Sequence, residues 1–500
     1  MPPGPALAPA PGHQGIFAHR FGPSSLCIHL PRGRRAAQGD DSGTAKRQGR
    51  IMDRTTAQLV DFALQSQYAA LSPQAVHECK RRLIDTLGCA LGAFDEPLSA
   101  MARAVASRSQ GDPSARIWGS RAASTPENAA FANGVMLRLM DISDTYLGKA
   151  RGHPSDVTAA VLAAADIAHA DGRAVIAANA AAYDIYCSLC DAHDWNARGW
   201  DQPVYAVLAA VVGAGKLLDL EREQFANAIA LALVPNMAMT QTRRGPLSSW
   251  KGCAGANAAR NAVFAALLAR DGFTGPTAIF EGEGGLFDIA GQFEWHLPDP
   301  GCMVGRTHIK TLPVCYHGQS AVLLALDMRK RLPVERVKEI RVEAYRTAVD
   351  MMGNDPSRWA PTTHETADHS LPYTIAIAFL DGAVTESSFE RARFTDPQVV
   401  ALMQKVKVDE DPALTALYPD GAPGRLTVVM DSGEVETAEM RYPTGHAKSA
   451  ITDAEVEEKF CGMLEKRNMR GACSEVLGRL WQLEQARDVG AEVVDRLARQ

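Results

Sequence analysis

The chain has 500 residues, 46% of them hydrophobic, and a net charge of −6. That length supports a large buried core and at least two domains. The mild, interspersed charge argues against a general nucleic-acid binder, and no apolar run reaches the length of a membrane span.

Residues 1–51 are rich in Pro, Gly, Ala and Arg, with only Asp40 and Asp41 as acids. Such a composition cannot bury enough surface to fold, so a disordered N-terminal extension is expected, with Met52 opening the folded protein. An Arg-rich, acid-poor leader also suits an organellar transit peptide, but Pro2, Pro3 and Pro5 oppose the amphipathic helix such peptides form. The expected compartment is the cytoplasm, or the mitochondrion if the extension is a genuine transit peptide.

From Thr55 to about Arg270 the pattern is helix after helix. Leu59, Phe62 and Ala63 begin a stripe at 3.6-residue spacing, and Ser72-Pro73 reads as an N-cap with Pro at the first helical position. Val76, Cys79, Leu83, Ile84 and Leu87 continue the stripe. Ala-rich helices are predicted over Val157–Ala170, Ala174–Cys190, Val204–Leu218, Arg222–Leu233 and Ala254–Ala269. Small side chains allow close approach, so a compact bundle is expected. Near Arg306 the texture changes. Val337–Tyr345, Arg425–Met430 and Val435–Met440 alternate as strands, the last two around an Asp431-Ser432-Gly433 turn, with helices over Ser320–Arg331 and Tyr373–Leu380. Thr452–Lys466 and Ala472–Leu497 return to helix. The predicted fold is mainly α: a helical domain at 52–305 and 447–500, with a smaller α+β lid domain inserted at 306–446. A cleft between them is the default ligand site.

Ten cysteines, scattered mostly in apolar helical context, read as reduced thiols of a cytosolic protein. Cys187 and Cys190 with His193 lack a second ligand pair, so buried thiols are expected there rather than a metal. Gly282-Glu283-Gly284-Gly285 lacks the preceding strand of a dinucleotide site, and neither a P-loop nor a Gly-x-Ser-x-Gly turn occurs.

The densest polar cluster is Asp141-Ile142-Ser143-Asp144-Thr145 with Lys149, Arg151 and Gly152-His153-Pro154-Ser155-Asp156. It falls where the helical pattern breaks, on a loop carried by a rigid scaffold. Other knots lie at Gly199-Trp200-Asp201-Gln202, Thr242-Arg243-Arg244, Ser248-Ser249-Trp250-Lys251, His308-Ile309-Lys310 with Tyr316-His317, and Asp368-His369-Ser370-Leu371-Pro372-Tyr373. Ser248 or Ser249 can cap the helix that follows, whose amino end favours an anion. Taken singly, each knot reads as a solvated turn, a surface pair or a satisfied core histidine. Together they describe a cationic pocket for a polycarboxylate or phosphate, with carboxylates and histidines placed for proton transfer.

Asp141–Thr145 with Gly152–Asp156 resembles a signature of the MmgE/PrpD family. The resemblance runs on through Trp250-Lys251-Gly252-Cys253-Ala254, Asn257–Arg260, Gly275-Pro276, Phe280-Glu281-Gly282, Asp368–Tyr373, Tyr442–His446 and Thr452–Val456, and covers nearly everything from Met52 onward. It implies a helical domain with an α+β lid, a homodimer, no metal or cofactor, and a small-molecule tricarboxylate as the partner. Members include 2-methylcitrate dehydratases and cis-aconitate decarboxylases. By resemblance, active-site roles fall to Asp141, Thr145, His153, Lys251, Lys310 and Tyr373. The family often has a histidine in the turn where this chain has Asp201-Gln202, which puts a role for that turn in doubt.

The expected reaction is elimination of water from a citrate-type substrate. Its alternatives are decarboxylation of cis-aconitate to itaconate, or a non-catalytic tricarboxylate binder. Charge grows on a carboxylate as its neighbouring C–H proton leaves, so fixed cations are needed. Lys251, Lys310, Arg151 and Arg243 are candidate clamps, with Thr145, His317 and His369 as further substrate contacts. His153 is the expected proton donor to the leaving hydroxyl, oriented by Asp141, which would raise its pKa. The reverse assignment has His153 as base and Tyr373 as acid.

Overall fold

Helix α1 (Arg54–Gln65) starts where Asp53 accepts the Thr56 N–H, and α2 (Pro73–Gly92) starts where Ser72 accepts that of Ala75 with Pro at its first position. The computed structural model describes residues 52–498, so the expected disordered extension lies outside the described residues. After α3 (Pro97–Ala106) and α4 (Pro126–Arg138) come α5 (Thr158–Ala168), α6 (Gly172–Ala192), α7 (Pro203–Leu217), α8 (Arg222–Leu233) and α9 (Trp250–Arg270). Helix α7 is apolar all round, and it is buried among α5, α6, α8 and α9. Helices α4 and α9 pack along each other, with the Cα of Ala256 against Gly134 where a methyl group would not fit.

A second, separate core spans residues 314–430. Its four-stranded sheet runs Val406–Glu410, Val337–Ala344, Gly424–Met430, Val435–Met440 in spatial order. Val337–Ala344 pairs in parallel with Val406–Glu410 and antiparallel with Gly424–Met430, Val342 facing Leu426. Helices Gln319–Met328 and Leu371–Asp381 cover the buried face. The larger core takes residues from 59 to 309 and again from 451 to 497, so the chain returns to it after building the smaller one. The described residues nevertheless form one compact unit. The mainly helical class is as expected, and no helix among the described residues is long and apolar enough to cross a membrane.

Two expectations are corrected and one strand is added. The helix over Ala472–Leu497 is broken into Cys473–Trp481 and Val489–Glu492 with short turns between. Its backbone bonds go elsewhere: Ala486 O accepts from Gly172 N–H, and Val489 N–H donates to Ala170 O. Strand Val406–Glu410 escapes the sequence pattern because only five residues follow so closely on helix Pro397–Met403. Cys461 and Cys473 form a disulfide, which removes cysteine usage as an argument for a reducing compartment. Cys187 and Cys190 are buried within α6 as expected, and burial pushes both thiols up.

Candidate active site

The loop after α4 reverses through Asp141, whose φ of 47° is one a short polar residue tolerates. Two short strands, Tyr146–Leu147 and Arg151–Gly152, then fold the cluster back on itself. Thr145 closes this hairpin, its hydroxyl donating to Gly152 O at 2.9 Å while its backbone pairs with His308. Gly152 is required here, since a Cβ would meet the Tyr186 hydroxyl at 2.1 Å. These contacts bring residues 141–153 beside residues 308–310.

Asp141 is the hub. Its carboxylate lies 3.1 Å from the Lys310 ammonium, 3.5 Å from that of Lys251 and 3.1 Å from the Arg138 guanidinium, all buried. Lys310 also donates to the Asp141 carbonyl at 2.6 Å. Burial alone would raise the carboxyl pKa, but Lys251, Lys310 and Arg138 hold it well below the usual range. Lys310 itself is pushed down by burial, partly countered by Asp141. Lys251 makes a second ion pair, 3.1 Å to Asp368. Asp368 in turn holds Nδ1 of His369.

A cavity of about 280 Å³ opens onto this network, near the lower end for small-molecule sites. Six cationic side chains line it (Arg151, Arg243, Arg244, Lys251, Lys310, Arg358) against the carboxylates of Asp141, Asp201, Asp350 and Asp355. Arg243 is aimed by Asp201, at 3.0 and 3.1 Å, and donates to Lys251 O. Two histidines on the wall are shifted in opposite directions. Burial, with Arg138 and Lys310 nearby, holds His153 well below its ordinary pKa. Its Nδ1 lies 2.8 Å from Asp144 O, a bond that ring nitrogen must donate, so the neutral ring carries its lone pair on Nε2. For His369, burial and Lys251 oppose the charge, but a Cys315 thiolate and Asp368 outweigh them and raise the pKa.

Asp141, Asp368 and His369 also place three possible ligand atoms within 4.8 Å of one another. Lys251 and Lys310 already sit on those carboxylates, so this donor set does not suit a cation. It suits a site in which ammonium groups face an anion.

The N-terminal domain of the MmgE/PrpD family matches residues 57–296, and its C-terminal domain matches residues 312–482. The chain belongs to the MmgE/PrpD family. It is 30% identical to the 2-methylcitrate dehydratase of Cupriavidus necator over 79% of this chain and 86% of that one. It is 28% identical to the 2-methylcitrate dehydratase of Escherichia coli K12 over the same shares. The alkylcitrate dehydratase phiI of a fungal species is 29% identical, over 78% of this chain and 82% of that one. With such relatives, this MmgE/PrpD chain is an enzyme of the hydro-lyase type.

Nine of the sequence-predicted site residues of this MmgE/PrpD protein line one cavity: Asp141, Thr145, Arg151, His153, Arg243, Lys251, Lys310, His317 and His369. Tyr373 does not. It is fully buried in the smaller core, and its hydroxyl donates to Ser388 O at 2.5 Å. Asp141 is paired with cations rather than with His153, and the His153 pKa is lowered, not raised. The Asp–His pair expected there exists instead as adjacent Asp368 and His369. Ser249 occupies the N-cap of α9 without a side-chain bond, so that end is not capped as expected. His317 is tied to the Tyr345 hydroxyl, and burial lowers its pKa. Sequence reasoning gave Arg138 no role of its own and missed Arg358 and Cys315. Arg138 had a usable signal, a lone cation at the helix end just ahead of the acidic cluster; the other two had none.

Proposed function

We propose that this protein is a cofactor-independent 2-methylcitrate dehydratase, eliminating water from the tricarboxylate to give 2-methyl-cis-aconitate in the methylcitrate cycle of propionate catabolism. The observation that carries this reading is the cationic cavity whose wall holds one histidine with a lowered pKa and one with a raised pKa. Substrate carboxylates enter beside Lys251, Lys310, Arg151 and Arg243. As the C–H proton leaves, charge builds on the adjacent carboxylate, and preoriented cations in a dry pocket stabilise that charge most. His153, neutral with Nε2 free, takes the proton. His369, whose pKa Cys315 and Asp368 raise, gives one to the departing hydroxyl. Two titratable groups pushed apart in pKa are what an acid–base pair requires.

The smaller core supplies Cys315, His317, Arg358 and His369, and the larger supplies Asp141, His153 and Lys251. We read residues 306–446 as a lid domain whose closure would bring acid and base together around the substrate, in a cytoplasmic homodimer. Light scattering and cell fractionation test the last two points.

The reaction is tested by incubating purified protein with 2-methylcitrate, citrate and cis-aconitate, following ultraviolet alkene absorbance and carbon dioxide release. Alkene formation fastest from 2-methylcitrate is the expected result. Carbon dioxide from cis-aconitate would make the protein a decarboxylase, and no reaction with any of the three would favour a binder or a different substrate.

A further inference from the structure

Among the described residues Cys315 is the one thiol that lines the cavity, and its backbone is fixed beside Asp368. Its N–H donates to the Asp368 carbonyl at 2.9 Å, and Cys315 lines the cavity together with the neighbouring His369, which draws its thiol pKa down. The Asp368 carboxylate holds Nδ1 of the His369 ring, so Nε2 is the nitrogen left for proton exchange. One residue, Asp368, thus positions both members of a Cys–His pair that opens on the cavity. Such a constellation is how proteins prepare a sulfur nucleophile.

The titratable groups facing the sulfur are His369, Lys310, Arg358, Asp141 and Tyr345. Burial and Asp141 push the thiol up, while His369 and Lys310 draw it down, and the net direction is below the ordinary value. The other free cysteines of the described residues go the opposite way. Burial raises Cys79 and Cys89 to about 12 and Cys253 to about 11, and it also raises Cys187, Cys190 and the exposed Cys302.

We propose that Cys315, paired with His369, is a covalent modification site inside the substrate cavity, selective for small carbon electrophiles that carry a carboxylate. The sulfur lone pair forms an S–C bond while the bond from that carbon to its leaving group breaks, and the leaving group departs with the bonding pair. No oxidant or reductant takes part. The proton once on the thiol rests on His369 before attack. Selectivity comes from Lys310, Lys251 and the arginines of the wall, which concentrate anions, whereas a neutral reagent gains nothing from them. The assignment does not depend on which reaction the enzyme catalyses.

The test is timed alkylation of the full-length protein with iodoacetate and, separately, iodoacetamide in mildly acidic buffer, read site by site by peptide mass spectrometry. Cys302 is the internal reference. Iodoacetate should modify Cys315 at least about tenfold faster than Cys302, and the charged reagent should be preferred at Cys315 only. Added citrate should slow labelling at Cys315 and leave Cys302 unchanged. His369→Gln should remove the advantage, and Cys315→Ser should take up no label at that peptide. The pH profile of the unmodified protein supports the pair without a variant: labelling at Cys315 should persist well below the ordinary thiol pKa. Faster reaction at Cys302, equal rates with the neutral reagent, or a profile rising only near the ordinary thiol value would each overturn the proposal. Loss of turnover is not the readout, so failure here and failure of the dehydratase reading remain distinct.

Discussion

Replacing Asp141 by Asn should unmask how much charge the site stores. The carboxylate faces Lys310 and Arg138 at 3.1 Å and Lys251 at 3.5 Å. At an effective dielectric near 20, each such contact is worth about 5 kcal/mol of gross attraction. Desolvation of four buried ions offsets most of that sum, so the pairs are not net stabilisers on that scale. Removing the common anion is different, because it leaves the cations buried without their partner. Lys251 keeps Asp368 and Arg138 keeps Asp156, but Lys310 retains only the Asp141 carbonyl. The expected loss is about 3–5 kcal/mol, the usual cost of breaking a buried pair. The sign of its pH dependence follows from Lys310. Its folded pKa is already lowered and falls further without Asp141. Between that value and about 10.4 the unfolded chain binds the extra proton, so stability rises with pH and the deficit of the variant shrinks. Urea denaturation followed by circular dichroism, at several pH values for both proteins, measures it. A variant within about 1 kcal/mol of the parent, or a deficit that widens as pH rises, would refute the hub role.

Further outcomes concern the two histidines, Tyr373 and the disulfide. The kcat/KM profile should be bell-shaped, its acid limb set by His153 below about 6.5 and its alkaline limb by His369 above that value. His369→Gln should abolish the alkaline limb, and either His153→Gln or His369→Gln should lower turnover roughly 10²- to 10⁴-fold; a folded variant with normal turnover contradicts the assignment. Tyr373→Phe should keep near-parental kcat while losing about 1–3 kcal/mol through the unsatisfied Ser388 carbonyl. A collapse of kcat in that variant would return the tyrosine to the chemistry. Serine at both Cys461 and Cys473 opens a loop of sequence separation 12 and should cost roughly 2–3 kcal/mol, seen as a lower urea midpoint that added reductant reproduces in the parent.

Most of the cavity was legible because its residues violate their surroundings. Asp141, His153, Lys251 and Lys310 are charged or titratable groups at loops and helix ends between apolar elements, and such groups are buried only where something pairs with them. What sequence could not supply was the pairing. Asp141 and His153 lie close in the chain, which made them look like partners, yet the left-handed turn at Asp141 directs its carboxylate to Lys310 and Lys251, 169 and about 110 residues away. Asp368 and His369 are neighbours whose bond needs only a local turn, but nothing local distinguishes a charged pair in a cavity from a satisfied core histidine. Tyr373 failed for a related reason. It lies four residues from His369 and on the next helix, close enough in sequence to suggest a shared site, while the helix starting at Leu371 turns its ring into the core against Phe389 and Phe394.

The return of the chain to the helical core after residue 450 also bears on the chemistry. Lys459, on the helix Asp453–Glu465, donates to the Ile142 and Lys310 carbonyls, each at 2.8 Å, and pairs with Asp85 of α2. Burial works against its charge, but Asp85 restores it and raises its pKa. One buried ammonium, itself not among the residues lining the cavity, therefore clamps the two segments that carry Asp141 and Lys310. Hydrophobic packing alone would hold these segments near each other without fixing their register to within an ångström, and electrostatic stabilisation of a developing carboxylate charge depends on that register. The C-terminal helices thus do more than complete a core: they set the geometry in which the cations meet the substrate.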